Sequence, residues 1–179
     1  MPTYIAMLRG INVTGHKIIK MEALRASFAA LGFKNVQSYV QSGNLIFETS
    51  IDSSASLSAK IEKKIMSDFG HAVPVFLRTA KEMAEVVKRN PLPKDPAIDQ
   101  TKLHVTFLAD AAPRNASELL HPLAAGPEQI RVIGREIYLY CPLGYGTSKI
   151  SNNAIEKKLS LGATTRNWKT TQTLLAMAK

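Results

Sequence analysis

Four short segments carry residue types able to do chemistry. Arg9-Gly10-Ile11-Asn12 offers a permanent cation, a glycine and an amide, and Gln41-Ser42-Gly43-Asn44 adds a hydroxyl, a second glycine and two more amides. Pro142 to Lys149 is a glycine-containing loop ending in Ser148-Lys149, and Thr164-Thr165-Arg166-Asn167-Trp168 stands where the spacing opens a last helix. Glycines let backbone N–H groups approach a ligand closely, and a loop running into a helix start favours negative charge. A cation at a helix start opposes the dipole unless an anion lies nearby, so Arg166 points the same way. The expected contacts of a small anionic, phosphate-bearing ligand are Arg9, Gly10, Asn12, Ser42, Gly43 and Asn44, with Ser148, Lys149, Thr165, Arg166, Asn167 and Trp168 from the second half. Neither glycine loop has the spacing of a dinucleotide fingerprint or a Walker A loop.

Other chemistries lack their residues. His16, His71, His104 and His121 are scattered, with no paired spacing for zinc or non-haem iron, so no metal and no cofactor are expected. The one cysteine, Cys141, follows aromatic strand residues and reads as a small buried hydrophobe. Glu22 and Glu48 are the carboxylates nearest the glycine loops in sequence, and no general base can be named.

The elements that must position these segments follow from periodicity. Thr3 to Arg9 reads as a strand, and Met21, Leu24, Phe28 and Leu31 share a helix face that Gly32 ends. Asn35–Val40 and Leu45–Glu48 flank a turn. Leu57, Ile61 and Ile65 line a second helix behind a serine cluster, and Val73–Arg78 returns as a strand. That β-α-β-β-α-β order is the split-βαβ, ferredoxin-like arrangement, in which the third strand lies antiparallel between the first and second. Connectivity alone then brings the end of the first strand beside the hairpin turn, Arg9–Asn12 beside Gln41–Asn44.

Thr79 caps a helix through Arg89, and the proline-rich run 90–96 opens a connector over 90–100 between a first half, 1–89, and a second, 101–179. The second half reads as a strand over Lys102–Leu108, a broken helix around Pro122, a hairpin turning at Gly134-Arg135, and helices over Asn152–Leu159 and Arg166–Ala178. This echoes the first half without its final strand. Both alternating sets of Tyr4–Arg9 are apolar, so both faces of that sheet should be covered. The expected class is α+β, two ferredoxin-like halves packed together.

The chain has 179 residues, 45% of them hydrophobic and 21% charged, enough for a packed core and unlike a disordered chain. No apolar run approaches a membrane span, and one cysteine suits a reducing compartment, so a cytoplasmic protein without membrane association is expected, monomer or homodimer. The net charge of +9 favours an anionic partner. It sits at the two ends: residues 1–89 carry 12 basic and 7 acidic side chains, 149–179 carry 6 and 1. Nucleic acid is the alternative partner, motivated by this charge and by Tyr138 and Tyr140 on one strand face, where bases could stack.

The segments Met7 to Val13, Tyr39 to Asn44, Gly144 to Lys149 and Thr164 to Trp168, in this order, resemble the largely bacterial family of domain of unknown function sixteen ninety-seven. The resemblance implies an α+β protein of two ferredoxin-like halves and no established activity. Thr14 and Lys169 depart from it, standing where the family commonly has glycine and asparagine.

Overall fold

The computed structural model describes residues 1–179. The chain divides into two compact units, the first formed by Met1–Ala84 with Leu174–Lys179, the second by Glu85–Thr173.

In the first unit the strands are β1 (Thr3–Leu8), β2 (Lys34–Tyr39), β3 (Asn44–Glu48) and β4 (Val75–Thr79), with helices α1 (Met21–Ala30) and α2 (Ser54–Phe69) between them. They form one antiparallel sheet in the order β2-β3-β1-β4, the split-βαβ layout. Tyr4, Ala6, Leu8, Leu45, Phe47 and Leu77 pack under Leu24 and Phe28 of α1 and Leu57, Ile61 and Ile65 of α2. The α2 stripe follows helical spacing, Ser53 caps its start by accepting from the Ser56 N–H (3.3 Å), and Gly70 ends it at φ +71°. The opposite face of β1, Ile5 and Met7, is buried as well, which accounts for a strand apolar at both parities. A register shift between Lys34 and Gln37, with Asn35 at φ +51°, breaks the outer edge at β2.

Helix α3 (Ala80–Arg89) follows β4 directly. Thr79 and Glu82 cap it reciprocally: the Glu82 N–H donates to Thr79 Oγ1 (3.1 Å) and the Thr79 N–H to Glu82 Oε2 (2.8 Å).

The second unit holds β5 (Leu103–Leu108), α4 (Ala116–Leu120), β6 (Gln129–Ile133), β7 (Glu136–Tyr140), α5 (Asn152–Leu159) and β8 (Ala163–Asn167), followed by α6 (Trp168–Ala178). Its sheet is again antiparallel, in the order β6-β7-β5-β8. The second unit therefore has the final strand, β8, that the expected element order lacks. Thr164, Thr165 and Arg166 form strand, not the first turn of a helix, because β-branched threonines suit a pleated ladder and pair there with Phe107, Thr106 and Val105. The helix starts at Trp168, and its cap is Asn167, whose Oδ1 accepts from the Thr170 N–H (2.8 Å).

The two units thus repeat one frame, and the repeat extends to single bonds. The Leu8 N–H donates to the Gly43 carbonyl (2.8 Å) and the Leu108 N–H to that of Arg135 (2.9 Å). The Arg9 N–H donates to the Pro74 carbonyl (3.0 Å) and the Ala109 N–H to that of Gly162 (2.9 Å). Buried arginines occupy matching edge-strand positions: Arg78 opposite Ile5 and Arg166 opposite Val105.

Candidate functional site

In the first unit the two expected segments meet. The Leu8–Gly43 bond places the end of β1 against the hairpin turn, and Asn12 clamps the junction further. Asn12 Nδ2 donates to the carbonyls of Gln41 (2.7 Å) and Ile19 (2.9 Å), while its Oδ1 accepts from the Ile19 N–H (2.8 Å). Its amide is thereby committed to holding the loop closed. Asn44, fully buried, donates to Ser42 Oγ (2.9 Å) and the Tyr39 carbonyl (3.2 Å) and shapes the turn from beneath. Both asparagines position the site; Arg9, Gly10 and Ser42 remain on its surface side, Arg9 half-buried and the other two exposed.

Loop 9–20 is stapled on its other flank by Lys17, whose Nζ donates to the Ala72 carbonyl (2.7 Å). The loop turns back on itself through a bridge between Val13 and His16, with Thr14 at φ +48° and Gly15 at φ +77°. Thr14 occupies a left-handed position where glycine is the easier residue, which explains why its departure from the resemblance is tolerated only with strain. Lys17 at φ +47° and Val40 at φ +53° share that strain, and such conformations cluster where a surface has a task. Neither residue stands out in the sequence, since positive φ at a lysine or valine has no sequence signal. Helix α1 opens next to the loop with Lys20 as its cap residue and no capping side chain, leaving first-turn N–H groups to other partners.

The repeated frame gives an internal control. The matching connection in the second unit is the shorter 109–115, with Ala109 where the first unit has Arg9 and with Asp110 beside it. Loop 9–20 and turn 40–43 contain no acidic residue, and loop 9–20 carries Arg9, His16, Lys17 and Lys20. The frame does not require this loop, so its length and charge have another cause.

The second-unit residues fall into two groups. Thr165 and Asn167 share the helix-covered face of the sheet, whereas Arg166 points to the opposite face, 8% exposed, and donates to Thr164 Oγ1 (2.9 Å) and the Thr165 carbonyl (3.0 Å). Burial lowers its pKa to about 10, which still leaves it charged at neutral pH. The inference from a cation at a helix start therefore fails, because Arg166 is a strand residue. Trp168 begins α6 with its ring 4% exposed. Ser148 Oγ accepts from the Ile150 N–H (3.0 Å), and Lys149 is exposed. Around Thr165 and Asn167 lies a residue that no sequence pattern singles out: His104, opposite Asn167 and stacked on Tyr145.

Two further readings are decided by burial. Tyr138 is fully buried, its hydroxyl donating to the Val86 carbonyl (2.7 Å) and its pKa raised by desolvation, so it offers no ring to a base. Cys141 is also buried, and desolvation, with the Glu128 carboxylate adding to it, raises the thiol to about 11. The thiolate is the reactive form. Iodoacetamide at neutral pH is accordingly expected to leave Cys141 unmodified in the folded chain and to alkylate it once urea has unfolded the protein, read by intact mass; modification of the folded chain at the unfolded rate would contradict this.

Residues 1–138 match the family model described as "Protein of unknown function (DUF1697)". The structure of the conserved bacterial protein SP0830 from Streptococcus pneumoniae is similar over 99% of both chains, with a TM-score of 0.73 and 24% sequence identity, a likeness of fold. No curated protein matches the chain. No helix is long and apolar enough to cross a membrane.

Proposed function

The chain belongs to the DUF1697 family of proteins of unknown function, and from that premise we propose that its first unit binds a small anionic, phosphate-bearing ligand at the junction of loop 9–20 and turn 40–43. The observation that carries this reading is the contrast between matching loops: the long one holds four basic or imidazole side chains and no carboxylate, the short one has alanine at the Arg9 position. Arg9 supplies the fixed charge and can meet phosphate oxygens with two N–H groups at once. Gly10 and Ser42 add an approachable backbone and a hydroxyl, and the uncapped start of α1 adds N–H groups of favourable sign. Asn12, Gly43 and Asn44 hold these in place and do not themselves touch the ligand. The reading is of binding, with no reaction attached to it.

The nucleic-acid alternative loses Tyr138, which is buried, and keeps its charge and the partly exposed Tyr140. Charge alone would give salt-sensitive, sequence-indifferent attachment.

A thermal-shift series with inorganic phosphate, nucleotides and phosphorylated metabolites tests the proposal. A ligand present at about a hundred times its Kd adds about 2.7 kcal/mol of stability, a rise of several degrees for a chain of this size. Arg9→Ala is expected to abolish most of that rise while leaving the unliganded midpoint within about 1 kcal/mol of wild type. Equal stabilisation of the Arg9→Ala variant by every ligand that stabilises wild type would end the proposal.

A further inference from the structure

Position for position, the two sheets carry different side chains on the same frame. In the first, Tyr4 lies opposite Thr79 and Ala6 opposite Leu77, and Tyr4, Ala6 and Leu77 belong to the apolar core. The matching pairs in the second are His104 opposite Asn167 and Thr106 opposite Thr165, and none of these four joins that unit's apolar cluster. A sheet end that only had to be filled would take mostly apolar side chains, as the first unit does with Tyr4, Ala6 and Leu77, because a buried hydroxyl must find a partner.

Here the partners form a directed chain. Thr165 Oγ1 donates to Asn152 Oδ1 (2.7 Å), so the Thr106 hydroxyl, 2.7 Å away and fully buried, donates to Thr165. The chain fixes the Asn152 carboxamide at the start of α5 with its oxygen turned to the sheet, which leaves its N–H₂ as a donor on the other side. The His104 ring stacks on Tyr145 with centroids 4.7 Å apart and planes 23° from parallel. Gly144, at φ +107° and ψ 138°, makes the turn that delivers Tyr145, a backbone conformation reserved to glycine. Both rings are partly exposed, as is Asn152, while Lys149 and Asn167 are exposed. The nearby carboxylates are otherwise engaged: Glu156 accepts from the Ala163 N–H (3.0 Å) and Glu128 from that of Ala125 (2.9 Å). Burial also lowers the His104 pKa, so the imidazole is neutral at neutral pH and repels no cationic neighbour.

We infer that this end of the second sheet is a binding site for a planar aromatic compound bearing an anionic group, with the ring on the His104–Tyr145 stack and the anion toward Lys149 and the Asn152 amide. Aromatic faces hold planar rings by stacking without requiring a particular ring, and amide and ammonium donors then select those that carry negative charge. A nucleotide and an aromatic carboxylate share this chemistry.

The test is an NMR titration of the full chain at neutral pH with adenosine 5′-monophosphate, benzoate and adenosine, following the ring signals of His104 and Tyr145. Saturable shifts of both rings with the monophosphate, with benzoate or with both support the site, and tell a nucleotide from a simpler aromatic anion. Tyr145→Ala should weaken binding about tenfold or more, as loss of a stacking partner does, whereas Tyr145→Phe, which keeps the ring, should retain it. Lys149→Ala should bring the monophosphate down to the affinity of adenosine. Arg9→Ala should change nothing here, which separates this site from the one proposed for the first unit. The inference is overturned if no probe moves either ring at millimolar concentration, if Tyr145→Ala binds like wild type, or if adenosine binds wild type as tightly as the monophosphate.

Discussion

Gly43→Ala is expected to destabilise the protein by about 2–4 kcal/mol, the sum of an overpacking cost and a left-handed backbone cost. Gly43 has φ +86°, and a methyl group placed on it would lie 2.8 Å from Ile11 Cδ1, 2.9 Å from Leu8 Cβ and 3.0 Å from Ile11 Cγ1. The flexible end of Ile11 could yield. Leu8 Cβ could not, being one bond from the backbone that donates to Gly43's own carbonyl. Gly10→Ala separates the two costs, because Gly10 also has positive φ (+76°) but no atom within 4 Å of the added carbon. It should lose only about 1 kcal/mol. Urea midpoints of the two variants measure the difference, and in a thermal melt the Gly43 variant should fall by roughly 2–4 °C for each kcal/mol. Equal losses for both would show that the close approach of turn and strand carries no energy.

The second large effect concerns Asn12. Asn12→Asp preserves size and the acceptor for the Ile19 N–H, yet turns an oxygen toward the carbonyls of Gln41 and Ile19, both of which had accepted from the amide. The Ile19 carbonyl, part-buried, loses its donor at about 1–3 kcal/mol, while the exposed Gln41 carbonyl can turn to water, so the expected loss is about 1–3 kcal/mol. Denaturant melts of both proteins at neutral pH read this directly, and an unchanged midpoint would refute the assignment of Asn12 as clamp. Ligand binding should weaken with it, because loop 9–20 loses its tie to the hairpin.

How far the residues announce this arrangement differs from place to place. The meeting of Arg9–Asn12 with Gln41–Asn44 was legible because it depends on strand order, which periodicity and turn residues convey. Strand β8 was not, because Ala163–Asn167 runs straight into α6: the threonines serve a ladder or a helix start equally well, and with no intervening loop the boundary leaves no mark. Arg166 was misplaced for the same reason. The asparagines were legible as polar turn residues but not as clamps, since an amide that binds a ligand and one that binds its own loop have the same side chain. His104 gave no signal at all: a lone histidine in Leu103–Leu108 differs from a structural one only through Tyr145, which comes from a distant loop. The repeat itself lies in backbone register, where side chains as different as Tyr4 and His104 occupy matching places.

The first unit takes its last segment, Leu174–Lys179, from beyond the whole of the second. Met177, Ala178 and Lys179 there line a cavity with Asn35, Gln37 and Glu48, beside the broken edge of β2. Synthesis from the N-terminus therefore delivers the last piece of the first unit only after Glu85–Thr173 has been made. An edge broken as β2 is at Asn35 makes a poor template for pairing with another chain.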